Sequence, residues 1–177
     1  MRSFITLLAF GLLTSINSKC YSQLDVAMLL GKRAKDIDPP VAFGGYLKFG
    51  VPISEADEVS AEASLLTWDE KDAGYFAGKL GYVYTLNRQG YGWFIEPQIG
   101  YVFAGSDPWY KDYYENGDFT GPVGTMNIGY RFGQNSFKAD LALRYETVFS
   151  NNVGKIPTIG LRFAVSLGIG RGKYNDQ

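Results

Sequence analysis

Apolar and polar positions alternate most regularly between Phe137 and Phe149, FKADLALRYETVF. Phe137, Ala139, Leu141, Leu143, Tyr145, Thr147 and Phe149 form one series, and Lys138, Asp140, Ala142, Arg144, Glu146 and Val148 the other. A two-residue period puts the two series on opposite faces of a β-strand. The first face is long enough to cross a bilayer core and carries aromatic rings at both ends. The second holds four charges of alternating sign, which the core of a soluble protein accommodates poorly. Apolar towards lipid and charged towards a lumen is what a membrane-spanning β-strand requires.

The same alternation predicts seven further strands. The first, Leu24–Leu30, sets Leu24, Val26, Met28 and Leu30 against Asp25, Ala27 and Leu29. The second, Val41–Val51, sets Val41, Phe43, Leu47, Phe49 and Val51 against Ala42, Gly44, Tyr46, Lys48 and Gly50. Ile53 to Glu58 reads as an acidic turn. After it, Val59–Thr67 opposes Val59, Ala61, Ala63 and Leu65 to Ser60, Glu62 and Ser64. The fourth strand, Tyr75–Leu86, carries Phe76, Leu80, Tyr82, Tyr84 and Leu86 against Ala77, Lys79, Gly81 and Thr85. In the fifth, Trp93–Ala104, Trp93, Ile95, Ile99, Tyr101 and Phe103 oppose Phe94, Glu96, Gln98 and Gly100; Pro97 removes a ladder donor and predicts a bulge. The sixth, Gly121–Phe132, alternates Met126, Ile128, Tyr130 and Phe132 with Thr125, Asn127, Gly129 and Arg131. The seventh is Phe137–Phe149. In the eighth, Thr158–Ile169, Ile159, Leu161, Phe163, Val165, Leu167 and Ile169 oppose Gly160, Arg162, Ala164, Ser166 and Gly168.

Connections after the second, fourth and sixth strands are short, as at the Asn87-Arg88-Gln89-Gly90 turn. The others are longer or less regular, the longest being Gly105 to Thr120. An even number of strands brings both termini to the short-turn end, the asymmetry of a transmembrane barrel.

A lipocalin-like soluble barrel or a sandwich shares the period with the faces inverted. Residue size favours the membrane reading. A water-facing surface would be filled by long Lys and Glu side chains, whereas the polar faces here are mostly Gly, Ala and Ser with a few balanced charges. Small residues suit the narrow interior of eight strands. Aromatic residues also bunch at both ends of the apolar faces. Phe49, Tyr84, Trp93, Phe132 and Phe137 fall near the short turns, and Phe43, Phe76, Tyr101, Phe103, Tyr145 and Phe149 near the long loops.

Composition narrows the reading further. The 177 residues make one domain, and 17 basic against 18 acidic residues give no basic excess for nucleic acid. No apolar run approaches the roughly 20 residues of a transmembrane helix. Arg2, the apolar stretch Phe4 to Leu13 and the small residues Cys20 and Ser22 form a secretory signal over 1–22. Its removal takes away the single cysteine together with Arg2 and Lys19, leaving a net charge of −3. The barrel domain is then 23–170, with a short polar tail at 171–177.

Three strands repeat a local form: Gln98-Ile-Gly-Tyr-Val-Phe103, Asn127-Ile-Gly-Tyr-Arg-Phe132 and Thr158-Ile-Gly-Leu-Arg-Phe163. The last runs on to Val165 and is similar to the assembly signal of a final barrel strand. On these features the chain resembles the small outer-membrane β-barrel proteins of the OmpX- and OmpA-like kind. The resemblance covers Gln23 to about Gly170, though the chain runs on to Gln177 where such barrels commonly end in an aromatic residue. It implies an all-β, eight-stranded, antiparallel up-and-down transmembrane barrel in the outer membrane of a Gram-negative bacterium. Outer-membrane lipid and the barrel-insertion machinery are the partners it implies.

The chain contains no histidine. Barrel lipid A deacylases, palmitoyl transferases, phospholipases and proteases place a histidine in their sites, so a catalytic role is not expected. Neither a cofactor nor a metal is expected, since a mature chain offers no His or Cys ligand. The inward charges are Lys48, Lys79, Arg131, Lys138, Arg144 and Arg162 against Asp25, Glu62, Glu96, Asp140 and Glu146. Nearly balanced, they read as a salt-bridge network that plugs the barrel, with a narrow ion path as the alternative. The 105–120 connection mixes Trp109, Tyr110, Tyr113, Tyr114 and Phe119 with acids, and is the stretch suited to an extracellular partner. The function expected is structural or surface interaction; a minor solute or ion channel and a soluble carrier are the alternatives.

Overall fold

β-Branched and aromatic side chains along each apolar face favour extended backbone, and alternation of polarity settles which way each strand turns. The structure, a computed structural model, describes residues 22–33, 41–54, 56–68, 74–87, 90–106, 118–133, 137–150 and 154–169. The segment 1–22 expected as a signal lies outside the described residues except for Ser22, and the tail 171–177 lies wholly outside them. The strands are β1 (Ser22–Arg33), β2 (Val41–Pro52), β3 (Asp57–Trp68), β4 (Gly74–Thr85), β5 (Gly92–Ser106), β6 (Asp118–Phe132), β7 (Phe137–Ser150) and β8 (Gly154–Ile169). Each pairs antiparallel with its sequence neighbours, and β8 pairs with β1 to close the barrel.

The strands run past the sequence expectation at several ends. β3 begins at Asp57, inside the segment read as a turn, and β6 begins at Asp118, shortening the expected loop 105–120 to 107–117. Pairing along one edge, Asp118 with Ser106 and Asp57 with Tyr84, explains the extension, because each added residue satisfies backbone donors or acceptors that would otherwise need water. The loop asymmetry is also weaker than expected. The connection after β7 spans only 151–153, whereas the turn after β4 spans 86–91.

Pro97 produces no bulge. Gly81 faces Gln98 and Tyr84 faces Ile95, so the register passes Pro97 unchanged. The irregularity lies higher on β5, between Val102 and Gly105, where Phe103 and Ala104 are both exposed in succession. That extra residue restores the inward phase at Gly105, where the Phe119 ring fills the space a Cβ would need.

Following register partners once around the barrel gives its stagger. The path runs Gln23, Gly50, Ser60, Gly81, Gln98, Thr125, Glu146, Thr158 and back to Arg33. It returns to β1 ten residues beyond its start. With about 3.3 Å per residue and about 4.8 Å between strands, that stagger tilts the strands by about 40°. A 12-residue strand such as β3 then rises about 30 Å, the thickness of a bilayer core.

The outer surface is apolar throughout this height. Ile99 is 75% exposed, Met28 67% and Leu80 62%, with Leu47, Leu65, Ile128, Leu143 and Leu161 all about half exposed or more. Aromatic pairs gather towards the rims: Trp93 meets Tyr130 and Tyr130 meets Phe132 at one end, Phe76 and Tyr101 each meet Phe103 at the other. A soluble carrier of this topology would need the two faces exchanged.

Candidate functional site

The inward faces of β2 to β8 bring ten charged side chains into the lumen. Lys48, Lys79, Arg131, Arg144 and Arg162 meet Glu58, Glu62, Glu96, Asp140 and Glu146, and all are buried. Five cations against five anions leave this described set neutral.

Their ion pairs form two closed circuits of alternating sign. In the first, Lys48 Nζ lies 3.2 Å from Glu96 and 3.9 Å from Glu58. Arg131 bonds Glu58 at 3.2 Å and grips Asp140 with two parallel bonds, Nε at 2.8 Å and Nη2 at 2.9 Å. Arg162 completes the hexad by donating to Asp140 at 3.2 Å and to the other oxygen of Glu96, Oε2. In the second, Lys79 lies 3.1 Å from Glu62 and 2.7 Å from Glu146, while Arg144 reaches the same two carboxylates at 2.7 Å and 2.6 Å. Gln98 Nε2 joins the circuits, donating to Glu62 at 3.0 Å and Glu96 at 3.1 Å.

Neutral groups add further hydrogen bonds to Glu96 and Glu146. Ser60 and Asn127 donate to Glu96, and Thr125 and Tyr75 donate to Glu146. The guanidinium groups also lie against rings, as expected where cations are shielded from water. Arg144 and Arg162 sit 5.7 Å and 5.3 Å from the Tyr46 ring centre, and Arg131 and Arg162 sit 5.5 Å and 5.6 Å from that of Phe94.

Small residues make room for the long ones. Lys79 faces Gly100 and Arg144 faces Gly160 across their ladders. A Cβ at Gly100 would come 2.1 Å from the Gly78 carbonyl oxygen and 2.7 Å from Lys79 Cα. On the long-loop side of the tetrad, the lumen turns apolar. Leu66, Trp68, Tyr75, Val102, Phe119, Val123, Val148 and Ile156 form one buried cluster there. Tyr75 joins it to the charges, with Trp68 at 5.7 Å, Phe119 at 6.2 Å edge-on and Glu146 accepting from its hydroxyl.

No protein-family model and no curated protein matches the chain by sequence. Solved structures do match in three dimensions. Neisserial surface protein A superposes with a TM-score of 0.60 at 12% identity, covering 86% of this chain and 98% of that one. Ail, the attachment invasion locus protein of Yersinia pestis, solved with the heparin analogue sucrose octasulfate, gives 0.52 at 14% identity over 85% and 100%. The N-terminal β-barrel domain of Pseudomonas aeruginosa OprF gives 0.51 at 11% identity over 84% and 99%. The chain has the fold of the small outer-membrane β-barrels.

Within this outer-membrane-type barrel the predicted residues fall as follows. Lys48, Glu62, Lys79, Glu96, Arg131, Asp140, Arg144, Glu146 and Arg162 come together in the two circuits. Lys138 sits half-buried near the short-turn end. Asp25 faces Lys48 and Ser166 in register, but its side chain lies outside the described residues. Trp109, Tyr110, Tyr113 and Tyr114 also lie outside them. Phe119 is no loop residue: it belongs to β6 and points into the barrel, because two strands extend to meet there. Glu58 joins the hexad from a stretch whose sequence reads as a turn, although its spacing from Ser60 and Glu62 continues the inward phase of β3.

Proposed function

We propose that this protein is a closed barrel of the Gram-negative outer membrane, and that it works by surface interaction at its long-loop end. The observation that carries the reading is the filled lumen: neutral ion-pair circuits lie across the bore and an apolar cluster lies above them. Burial of charges is tolerated where each is paired and hydrogen-bonded, and such pairs fix side chains rather than pass ions. Conduction would require breaking pairs that span the bore, such as Lys79 with Glu146 and Arg144 with Glu62. The apolar outer belt supports residence in a bilayer, and the similarity to a neisserial surface protein and to Ail supports a surface role.

The connections at the long-loop end carry Asp36, Asp38, Asp69, Glu70, Asp72, Asp107, Asp112 and Glu115 against Lys35, Lys71 and Lys111. That charge opposes a sulfated polyanion of the kind seen with Ail. It favours a partner with a basic or neutral face, met by the aromatic residues Trp109, Tyr110, Tyr113 and Tyr114. One experiment tests the reading: a cysteine at position 112, labelled on intact cells by a membrane-impermeant maleimide, alongside planar-bilayer recordings of the same protein. Labelling without conductance steps is expected. Either a protected cysteine or regular single-channel steps overturns the reading.

A further inference from the structure

The two circuits differ in which strands they tie. The tetrad uses side chains from β3, β4 and β7 only, and none from β1 or β8. The hexad draws on β2, β3, β5, β6, β7 and β8, and its β8 member is Arg162 alone. Without Arg162 the described lumen charges sum to −1, and Glu96 and Asp140 each lose one of their cations.

Arg162 also reaches past the seam. Its guanidinium lies 5.3 Å from the ring centre of Tyr46 on β2, the strand beyond β1. On the other side it bonds Asp140 of β7 and Glu96 of β5 and lies 5.6 Å from Phe94. Arg144 is the comparison. It too is buried, bonds two carboxylates and lies against Tyr46, but it is rooted on β7 and its carboxylates belong to β3 and β7, whereas Arg162 shares Glu96 with Lys48 of β2.

We propose that Arg162 is the latch of barrel closure, completing the hexad only when β8 docks on β1 and tying the seam through the lumen. The backbone ladder between β1 and β8 is then not the only bond holding the ring shut. Opening the seam by a few residues draws Arg162 away from Glu96 and Tyr46, leaves a buried carboxylate short of a cation and is opposed for that reason.

Amide hydrogen exchange of the folded barrel in lipid nanodiscs tests this, strand by strand, on Arg162→Met and Arg144→Met. Arg162→Met is expected to speed exchange about tenfold or more in β1 and β8 relative to β3 and β4. Arg144→Met is expected to show no such concentration at the seam. If Arg162→Met does not fold, Arg162→Lys is read in its place. It keeps the charge but loses the planar fork, so a smaller acceleration confined to the same two strands is expected. Seam exchange that rises no more than elsewhere in the folded Arg162 variant, or rises equally in Arg144→Met, overturns the proposal.

Discussion

Replacing Arg144 by Met keeps most of the side-chain volume and removes one charge from the tetrad. Arg144 donates from Nη2 to Glu62 at 2.7 Å and to Glu146 at 2.6 Å, from Nη1 to Glu62 at 3.3 Å and from Nε to Glu146 at 3.1 Å. After the change, Lys79 is the one cation left in the circuit for two buried carboxylates. Breaking one half of a buried pair typically costs about 3–5 kcal/mol, against about 0–1 for an exposed pair. A loss of about 3–5 kcal/mol in equilibrium refolding into lipid vesicles is therefore expected. Adding Glu62→Gln returns the circuit to one cation and one anion and should restore part of the loss. Adding Glu96→Gln, whose carboxylate lies in the other circuit, should not. The double-mutant cycle isolates the coupling. A single-mutant loss under about 1 kcal/mol, or equal rescue by both amides, would refute the circuit as drawn. A stable variant with altered ion current would favour the channel instead.

Leu141→Arg puts a charge on the lipid face and should cost about 2–4 kcal/mol of refolding free energy. Ala142→Ser, pointing inward beside Arg162, should cost under about 1, and equal losses would mean the faces are reversed. Gly100→Ala should destabilise by about 1–3 kcal/mol because its Cβ meets backbone, whereas Gly124→Ala, with nothing within 4 Å, should be neutral or slightly stabilising. Thermal or urea unfolding in detergent separates that pair. Phe119→Ala should cost about 3–5 kcal/mol, as for a core ring, and a loss near zero would return Phe119 to the surface loop.

Topology was legible because alternation is a local signal repeated eight times, and each repeat has only two faces to choose from. Nine of the inward charges followed directly from that phase. Glu58 escaped because the Ser54-Glu55-Ala56 stretch before it looks like a turn; the turn is real, with Ser54 bonding Asp57, but it ends sooner. Partners were less legible than positions. Arg144 divides itself between Glu146, its neighbour on the same face, and Glu62, 82 residues away. Across a closed bore the distance between two side chains depends on tilt and stagger, which no single strand encodes. The bulge was misplaced for a similar reason. Proline announces a missing donor, but the register shift sits where β5 and β6 extend around Phe119.

The ten-residue stagger sets a tolerance for the whole ring. Stagger changes in steps of two, because a one-residue slip would turn a strand inside out. By the same geometry that gives the tilt, one such step alters the barrel radius by about 0.7 Å and its diameter by about 1.4 Å. Lys79 and Glu146 face each other across the bore at 2.7 Å, so a wider ring would pull them out of hydrogen-bond reach and a narrower one would press them into collision. The charges inside thus act as a gauge of circumference. A mispaired strand anywhere on the ring is felt at its centre, far from the error itself.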